Sequence, residues 1–283
     1  MLKQQMILAG VGLVLLSSLF FLGTTVAKKE TPAMPAFSTN APEFYIDDYI
    51  KSAEKKLTVN QVNYIDNLEN SVTRGDVKEQ QIKVYDQLAS FWKDSAQKPE
   101  IAAYFTAKSS ELVNSEKSLT FAAQLILQNL RSEQDNAKRS WESGEAIDLF
   151  EKAIKLDPNN DDLKVGLGSC YVFGKGMAGD AQETMKGIMQ LLDVVQRDSS
   201  NMKAQLVLGI GGVISMQYDK AIQRLTTVVK KQPGNLEAIS WLADAYAAKG
   251  DKANAVKWYE ISKRLVNNRE YTKEVDERIK LLQ

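Results

Sequence analysis

The side chains that most often carry acid–base and nucleophilic chemistry are almost missing from this sequence. Among its 283 residues there is no histidine and a single cysteine, Cys170. These counts exclude Ser-His-Asp and Cys-His catalysis, an intrachain disulfide and a multi-thiolate zinc site. Carboxylates are plentiful, but no motif arranges them for hydrolysis. The sequence therefore predicts a protein without enzymatic activity, cofactor or metal ion, in which Cys170 is a small buried side chain.

The charge balance argues against nucleic acid as a partner. The chain carries 36 Lys plus Arg and 36 Asp plus Glu, so its formal net charge is zero. Proteins that bind nucleic acid take most of their non-specific affinity from an excess of basic residues. The sequence predicts no nucleic-acid binding.

The first part of the chain contains an uncharged apolar run over residues 6–27. About 20 apolar residues in a helix span the ~30 Å hydrocarbon core of a membrane. This run predicts an uncleaved transmembrane anchor, with a short flank at residues 1–5 and a proline-containing linker at residues 28–42. The alternative is a signal peptide cleaved after Thr25-Val26-Ala27.

Residues of matching size recur in the C-terminal part of the chain. Their spacing is 34 residues, and the pairs are Leu208 with Leu242, Gly209 with Ala243, Ala221 with Ala255, and Leu225 with Tyr259. Two antiparallel helices approach closely only where small side chains meet. Gly209 is therefore predicted to face Ala221, and Ala243 to face Ala255. The pattern indicates stacked helical hairpins of equal length.

This pattern resembles the tetratricopeptide-repeat (TPR) family. Met202–Asn235 and Leu236–Arg269 match it best, with Tyr246 at the aromatic position of a first helix. Further repeat-packing positions are matched by Ala146, Phe150 and Ala153 on a second helix, and by Leu167, Gly168 and Tyr171 on a first helix. The resemblance implies an all-α protein, in which the N-terminal transmembrane helix precedes a right-handed TPR-type solenoid of helical hairpins. Its expected parts are divergent hairpins at 43–114, repeats at 115–269 and a capping helix at 270–283.

One repeat departs from the common pattern. A glycine-rich stretch at residues 174–179 follows Tyr171 and resembles the longer turn of the Sel1-like variant. Two registers stay open for the helix that follows: Thr184, Ile188 and Leu191 face the core, or Gly187 and Leu191 form the contact pair. The stretch 174–179 is also predicted to fill the space beside Gly211-Gly212, which a partner backbone would otherwise approach.

In TPR proteins the first helices line a concave groove that holds the ligand. The matching positions here are Val165, Ser169, Val172, Leu206, Ile210, Val213, Ser240, Asp244 and Ala247. TPR proteins that grip the C-terminal carboxylates of chaperones use lysine, arginine and asparagine at these places. The apolar set here implies a protein or peptide ligand with an apolar or helical segment. Alternatively, the chain's own cap or linker covers these side chains.

The resemblance extends to membrane-anchored bacterial TPR proteins. It implies a non-enzymatic scaffold or adaptor of the cell envelope, single-pass in the bacterial inner membrane, with the solenoid in the periplasm and a role as an escort for secreted proteins. The membrane would be contacted through residues 6–27. One alternative is a cytosol-facing import or targeting receptor, and another is an oligomer that builds a self-assembling envelope structure.

Overall fold

The computed structural model describes residues 43–74, 77–266 and 268–282. Regular structure in these ranges consists of thirteen α-helices, without a strand. The helices are α1 (Ile46–Glu54), α2 (Val59–Arg74), α3 (Lys78–Ser90), α4 (Pro99–Val113), α5 (Glu116–Leu130), α6 (Asn136–Leu156), α7 (Asp161–Cys170), α8 (Ala181–Arg197), α9 (Met202–Ile214), α10 (Tyr218–Lys231), α11 (Leu236–Lys249), α12 (Lys252–Leu265) and α13 (Arg269–Leu282). Two π-helical turns continue α3 and α7, at Phe91–Ser95 and Tyr171–Gly176.

Asparagine and aspartate side chains set the starts of the hairpin helices. Asn201 Oδ1 accepts a hydrogen bond from the Ala204 N–H at 3.0 Å, and Asn235 accepts one from the Ala238 N–H at the same distance. Such caps satisfy backbone donors that have no partner within the helix. The two caps lie 34 residues apart, so the repeat period extends to the residues that begin each first helix.

Ten helices form five consecutive hairpins: α3 with α4, α5 with α6, α7 with α8, α9 with α10, and α11 with α12. Each second helix also contacts the first helix of the next hairpin, and first helices contact one another along the series α5, α7, α9, α11. Helix α13 packs against α12 at the end of the series. The all-α, TPR-like solenoid predicted from the sequence is therefore confirmed.

Small residues do bring the two helices of a hairpin together, but one turn away from the predicted pairing. A β-carbon on Gly209 would lie 2.7 Å from Leu225 Cγ, whereas one on Gly212 would lie 3.1 Å from Ala221 Cβ. Gly209 thus receives the large side chain of α10, and Gly212 makes the close approach to Ala221. The predicted contact of Gly209 with Ala221 was wrong. The two glycines lie about one turn apart on the same side of α9, and Gly212 rather than Gly209 is the one opposite Ala221.

The α7–α8 hairpin follows the second of the two registers. A β-carbon on Gly187 would lie 2.4 Å from Tyr171 Cβ, and one on Gly168 would lie 2.5 Å from Leu191 Cγ. Gly187 and Leu191 are therefore the counterparts of Ala221 and Leu225 in the next hairpin.

The glycine-rich stretch does not fill the space beside Gly211-Gly212. A β-carbon on Gly174 would lie 2.2 Å from Ser143 Oγ, so the stretch packs against α6. A β-carbon on Gly211 would lie 2.7 Å from Ile188 Cδ1 of α8. The two glycines of α9 instead permit close contact with α8 and α10.

The predicted localisation requires correction. Across residues 43–74, 77–266 and 268–282, no helix combines the length and the apolar character needed to cross a bilayer. This finding overturns the single-pass inner-membrane localisation with a periplasmic solenoid. The predicted anchor at 6–27, its flank at 1–5 and the linker at 28–42 lie outside the described residues.

Candidate protein-binding face

The nine predicted groove residues come, three each, from α7 with its π turn, α9 and α11. Four of them are at most 6% exposed: Val165, Ser169, Val172 and Ile210. The other five are half-buried: Leu206, Val213, Ser240, Asp244 and Ala247. These nine positions therefore do not line one open groove, since buried side chains cannot contact a partner in this conformation.

The chain's own side chains fill the centre of the predicted groove. First helices of four successive hairpins contribute to one apolar cluster, which includes Leu130 from α5, Phe173 from the π turn, Ile210 from α9 and, at its edge, Trp241 from α11. We give the name first-helix face to eight members of this cluster that lie on the first helices and the π turn: Leu127, Leu130, Val165, Val172, Phe173, Leu206, Ile210 and Trp241. The apolar character predicted for the groove is present, but its side chains pack against one another.

An ion pair spans the first-helix face at the surface. The Arg131 guanidinium, just after α5, pairs with the Glu237 carboxylate in the first turn of α11. The two residues are 106 positions apart, and α7 and α9 lie between them in the series of first helices. The Arg131 guanidinium carbon also lies 4.5 Å from the ring centroid of Phe173, a cation–π distance. Arg131 thus joins the buried cluster to the exposed ion pair.

Helix α13 covers the far end of the predicted groove. The hydroxyls of Tyr271 and Ser240 are 3.0 Å apart, within hydrogen-bond distance. Arg278 Nη1 donates to Asp244 Oδ1 at 3.0 Å, and the Tyr259 hydroxyl donates to the same oxygen at 2.5 Å. Burial and this bond to the Asp244 carboxylate raise the pKa of Tyr259. At this end the chain's own C-terminal helix takes the place that a ligand was predicted to take.

A buried polar cluster that the sequence reasoning missed lies where α4 and α6 meet. Lys138 Nζ lies 2.9 Å from Glu100 Oε1 and 2.7 Å from Glu133 Oε2. Glu142, one turn along α6 from Lys138, is 1% exposed, and neither carboxylate oxygen has a hydrogen-bond partner. Burial is the main cause that raises the pKa of Glu142, to about 8. The positive charge of Lys138 lowers this pKa, and the negative charges of Glu133 and Glu100 raise it. At neutral pH the side chain is therefore mostly protonated.

The cluster has no arrangement suited to a metal ion. Lys138 lies between Glu100 and Glu133, and nowhere in the described part of the chain do three His, Cys, Asp or Glu side chains converge as metal ligands would. The only sequence signal for the cluster is the spacing of Lys138 and Glu142 by four residues, a pattern that surface helices share.

An exposed apolar stripe on α8 also escaped the sequence reasoning, which assigned only the inward face of this helix. Met185, Met189 and Leu192 lie at positions i, i+4 and i+7 and are 51%, 64% and 40% exposed. Side chains at this spacing share one face of a helix. The stripe is a second apolar surface, on a second helix rather than a first helix.

Cys170 is fully buried at the end of α7, as the sequence predicted. Ser143 Oγ donates a hydrogen bond to the Cys170 carbonyl oxygen at 3.1 Å, which ties α7 to α6. Burial raises the pKa of the Cys170 thiol. A buried, protonated thiol is a poor nucleophile, so its role is packing.

Comparisons with known proteins agree with this architecture. A family model for the tetratricopeptide repeat matches residues 215–271, and a second model of the same description matches residues 142–160. A search of curated proteins gives no match.

Two solved structures share the fold. A tetratricopeptide repeat protein from Parabacteroides merdae is 14% identical, with 83% of this chain and 85% of that chain covered and a TM-score of 0.55. A thermophilic TPR protein of Thermus thermophilus is 15% identical, with 73% and 98% covered and a TM-score of 0.51. The chain thus carries tetratricopeptide repeats, matched at residues 142–160 and 215–271, within an all-α solenoid of TPR-like hairpins.

Proposed function

We propose that this chain is a non-catalytic scaffold that binds an apolar or helical segment of a partner protein through its first-helix face. Tetratricopeptide repeats generally mediate protein–protein interactions, and their first helices present side chains to a common surface. The observation that carries the proposal is the first-helix face itself. Four successive hairpins direct apolar side chains to one cluster, and its half-buried members Leu127, Leu206 and Trp241 remain partly exposed to a partner.

The chemistry of the face selects the kind of partner. Its lining is aliphatic and aromatic, and Ile210 and Val172 are fully buried. A peptide in extended form needs hydrogen-bond partners for its backbone, which the apolar side chains of this face do not offer, whereas an amphipathic helix satisfies its own backbone. An amphipathic helix that inserts an apolar stripe is therefore the ligand that this surface fits best.

Site-specific crosslinking in cells tests the proposal. A photo-crosslinking amino acid replaces Leu206, which is half-buried in the face, and as a matched control Met189, which is exposed on α8. A partner captured at position 206 is then purified, and its binding to the wild type and to Leu206→Asp is measured by calorimetry. Binding to the wild type that Leu206→Asp weakens at least tenfold, without loss of folding, supports the proposal. Capture at position 189 alone would move the binding surface to α8.

The exposed stripe on α8 supports a second candidate function, self-assembly. Monomeric proteins rarely leave several large apolar side chains exposed on one helix face, and such patches often mark contacts between chains. Light scattering of the full chain over a hundredfold concentration range measures its mass. A dimer or larger species that the Met185→Lys/Met189→Lys double variant abolishes would favour self-assembly, and a constant monomer mass would remove it.

A further inference from the structure

We propose that residues 43–54, which comprise α1 and the three residues before it, form a strap over the buried carboxyl group of Glu142, and that this strap undocks when the carboxyl group loses its proton. The strap contacts α6, which is a second helix, so its release is a different event from binding at the first-helix face.

Two aromatic side chains dock the strap on α6. The ring centroid of Phe44 lies 5.1 Å from that of Trp141. The ring centroid of Tyr49 lies 5.1 Å from Lys138 Nζ, a cation–π distance. Trp141 directly precedes Glu142 on α6, and Lys138 lies one turn before it. Both contacts therefore lie beside the buried carboxyl group.

The Tyr49 hydroxyl shares its surroundings with Glu142. Burial raises the pKa of Tyr49, and the negative charges of Glu100, Glu133 and Glu142 raise it further, while the positive charge of Lys138 lowers it. Charges shift a neighbouring pKa in this way only over short distances. One side chain of the strap thus faces all four members of the polar cluster.

Glu142 titrates between pH 5 and pH 9 while its neighbours keep their charges. Burial lowers the pKa of Lys138, but its hydrogen bonds to Glu133 and Glu100 raise this pKa by more. Burial also opposes ionisation of Glu133, yet the hydrogen bond from Lys138 helps to lower its pKa overall. Arg139 adds a second positive charge that acts on Glu142. Loss of the Glu142 proton is therefore the change that the cluster undergoes in this range.

The sign of the effect follows from the raised pKa of Glu142. The docked strap keeps the carboxyl group in a site where its pKa is about 8, and undocking lets water reach it, which returns the pKa toward 4.5. Docking is therefore most favourable below pH 4.5 and weakens as the pH rises toward 8. Each pH unit in between shifts the equilibrium toward the undocked strap by up to about tenfold.

Helix α1 is short enough to undock without the repeats. It has nine residues, its buried side chains are Ile50 and Ala53, and no side chain caps its start at Tyr45. Helices shorter than about 12–15 residues are marginal in water, so α1 gains its stability from docking. Undocking uncovers the ring of Trp141, whose centroid lies 6.3 Å from that of Tyr104 on α4. The strap thus controls access to an aromatic pair on the second helices.

Thiol labelling of α1 measures the undocking. In the full chain with Cys170→Ala, Ala53→Cys places a thiol at a position that is 7% exposed, and Ser52→Cys places one at the exposed neighbouring position. The ratio of the two labelling rates cancels the pH dependence of the reagent. The ratio should rise by up to about fiftyfold from pH 6 to pH 8, the limit reached when undocking returns the pKa of Glu142 fully to 4.5. A rise of less than twofold would overturn the inference.

Two matched variants and the native thiol assign the rise. Glu142→Gln should abolish it, whereas Glu151→Gln, at an exposed position of the same helix, should keep it. An equal rise with Glu142→Gln would contradict the role of this carboxyl group. In the wild type the fully buried Cys170 should stay unlabelled from pH 6 to pH 8, and labelling of Cys170 with the pH profile of position 53 would show global unfolding instead of strap release. Hydrogen exchange of the α1 amides, corrected for intrinsic rates, repeats the measurement in the unmodified chain.

A reciprocal experiment tests whether the strap covers Glu142. Coupling between two events acts equally in both directions. Joint replacement Phe44→Ala and Tyr49→Ala should therefore lower the pKa of Glu142, so that the stabilisation by Glu142→Gln depends less on pH. Tyr45→Ala, at a position that is 58% exposed, is the control and should leave this dependence unchanged. A dependence that persists in full without the two docking rings would show that the carboxyl group is buried by other elements and would refute the strap.

Discussion

Replacement of Glu142 by glutamine is expected to stabilise the protein, by an amount that grows with pH. Glu142 is buried without a hydrogen bond to either carboxylate oxygen, and Glu100 and Glu133 add negative charge nearby. The folded state therefore prefers the protonated acid, with a pKa of about 8, while the unfolded chain titrates near 4.5. Because the pKa of Glu142 is raised in the folded state, the stability that its protonated form gives the fold is fully present below pH 4.5. This contribution falls as the pH rises toward 8.

The size of the effect follows from the two pKa values. At pH 7 the unfolded carboxyl lies about 2.5 pH units above its pKa, and each unit corresponds to about 1.36 kcal/mol. The wild type thus loses about 3 kcal/mol of stability between pH 4.5 and pH 7, and about 5 kcal/mol by pH 9. Glutamine has nearly the same shape and no charge, so Glu142→Gln removes this loss. Its own buried amide adds a contribution that does not depend on pH.

Urea unfolding at pH 5, 7 and 9, followed by circular dichroism, measures the difference between the variant and the wild type. The difference should grow by about 2 kcal/mol or more from pH 5 to pH 7, with an unchanged slope against urea. Glu151→Gln is the control, since Glu151 is exposed on the same helix. A difference that stays constant from pH 5 to pH 9 would show that Glu142 is ionised in the folded state and would refute the reasoning.

Three further substitutions and one labelling reaction test other contacts. Gly212→Leu should destabilise the chain by about 1–3 kcal/mol in thermal unfolding because α10 packs directly on this position. Gly144→Ala, with no atom within 4 Å of the new β-carbon, should instead stabilise it by about 0.5–1 kcal/mol, and equal effects would contradict the packing. Cys170 should react with a thiol reagent only in denaturant, since burial raises its pKa, and rapid native labelling would contradict its burial. Arg278→Ala should remove about 0.5–1 kcal/mol and speed hydrogen exchange in α13; unchanged exchange would show that the bond to Asp244 does not hold the helix.

The hairpins could be predicted because their contacts are local. The 34-residue spacing that relates Gly209 to Ala243 records which turn of a first helix meets its second helix, and both ends of that contact lie within about 30 residues. Such a pattern does not identify which residue of the second helix each glycine contacts. Gly209 and Gly212 are both small and one turn apart, so their sizes alone do not decide which of them approaches Ala221. The same ambiguity left two registers open around Gly187.

The closure of the first-helix face could not be predicted from residue patterns. It depends on the rotation of each hairpin relative to the one before it. These rotations add up over α5, α7, α9 and α11, and the total cannot be read from any single residue. Arg131 and Glu237 read as ordinary surface charges at helix ends. Glu142 likewise reads as an exposed helical residue. Its raised pKa comes from its burial and, in part, from the charges of Glu100 and Glu133, which lie outside its own helix.

The pairing of Arg131 with Glu237 changes how the repeats share stability. In most helical repeat arrays each unit contacts only its neighbours, so the array behaves as a chain of nearest-neighbour terms and frays from its ends. Here the second and the fifth hairpin contact each other across 106 residues. Loss of the α11–α12 hairpin would therefore also remove a contact from α5. Ring closure over that length comes late in folding, because its entropy must be lost before the contact forms. The half-exposed pair therefore adds one long-range term, of at most about 1 kcal/mol, to the nearest-neighbour terms that hold the array together.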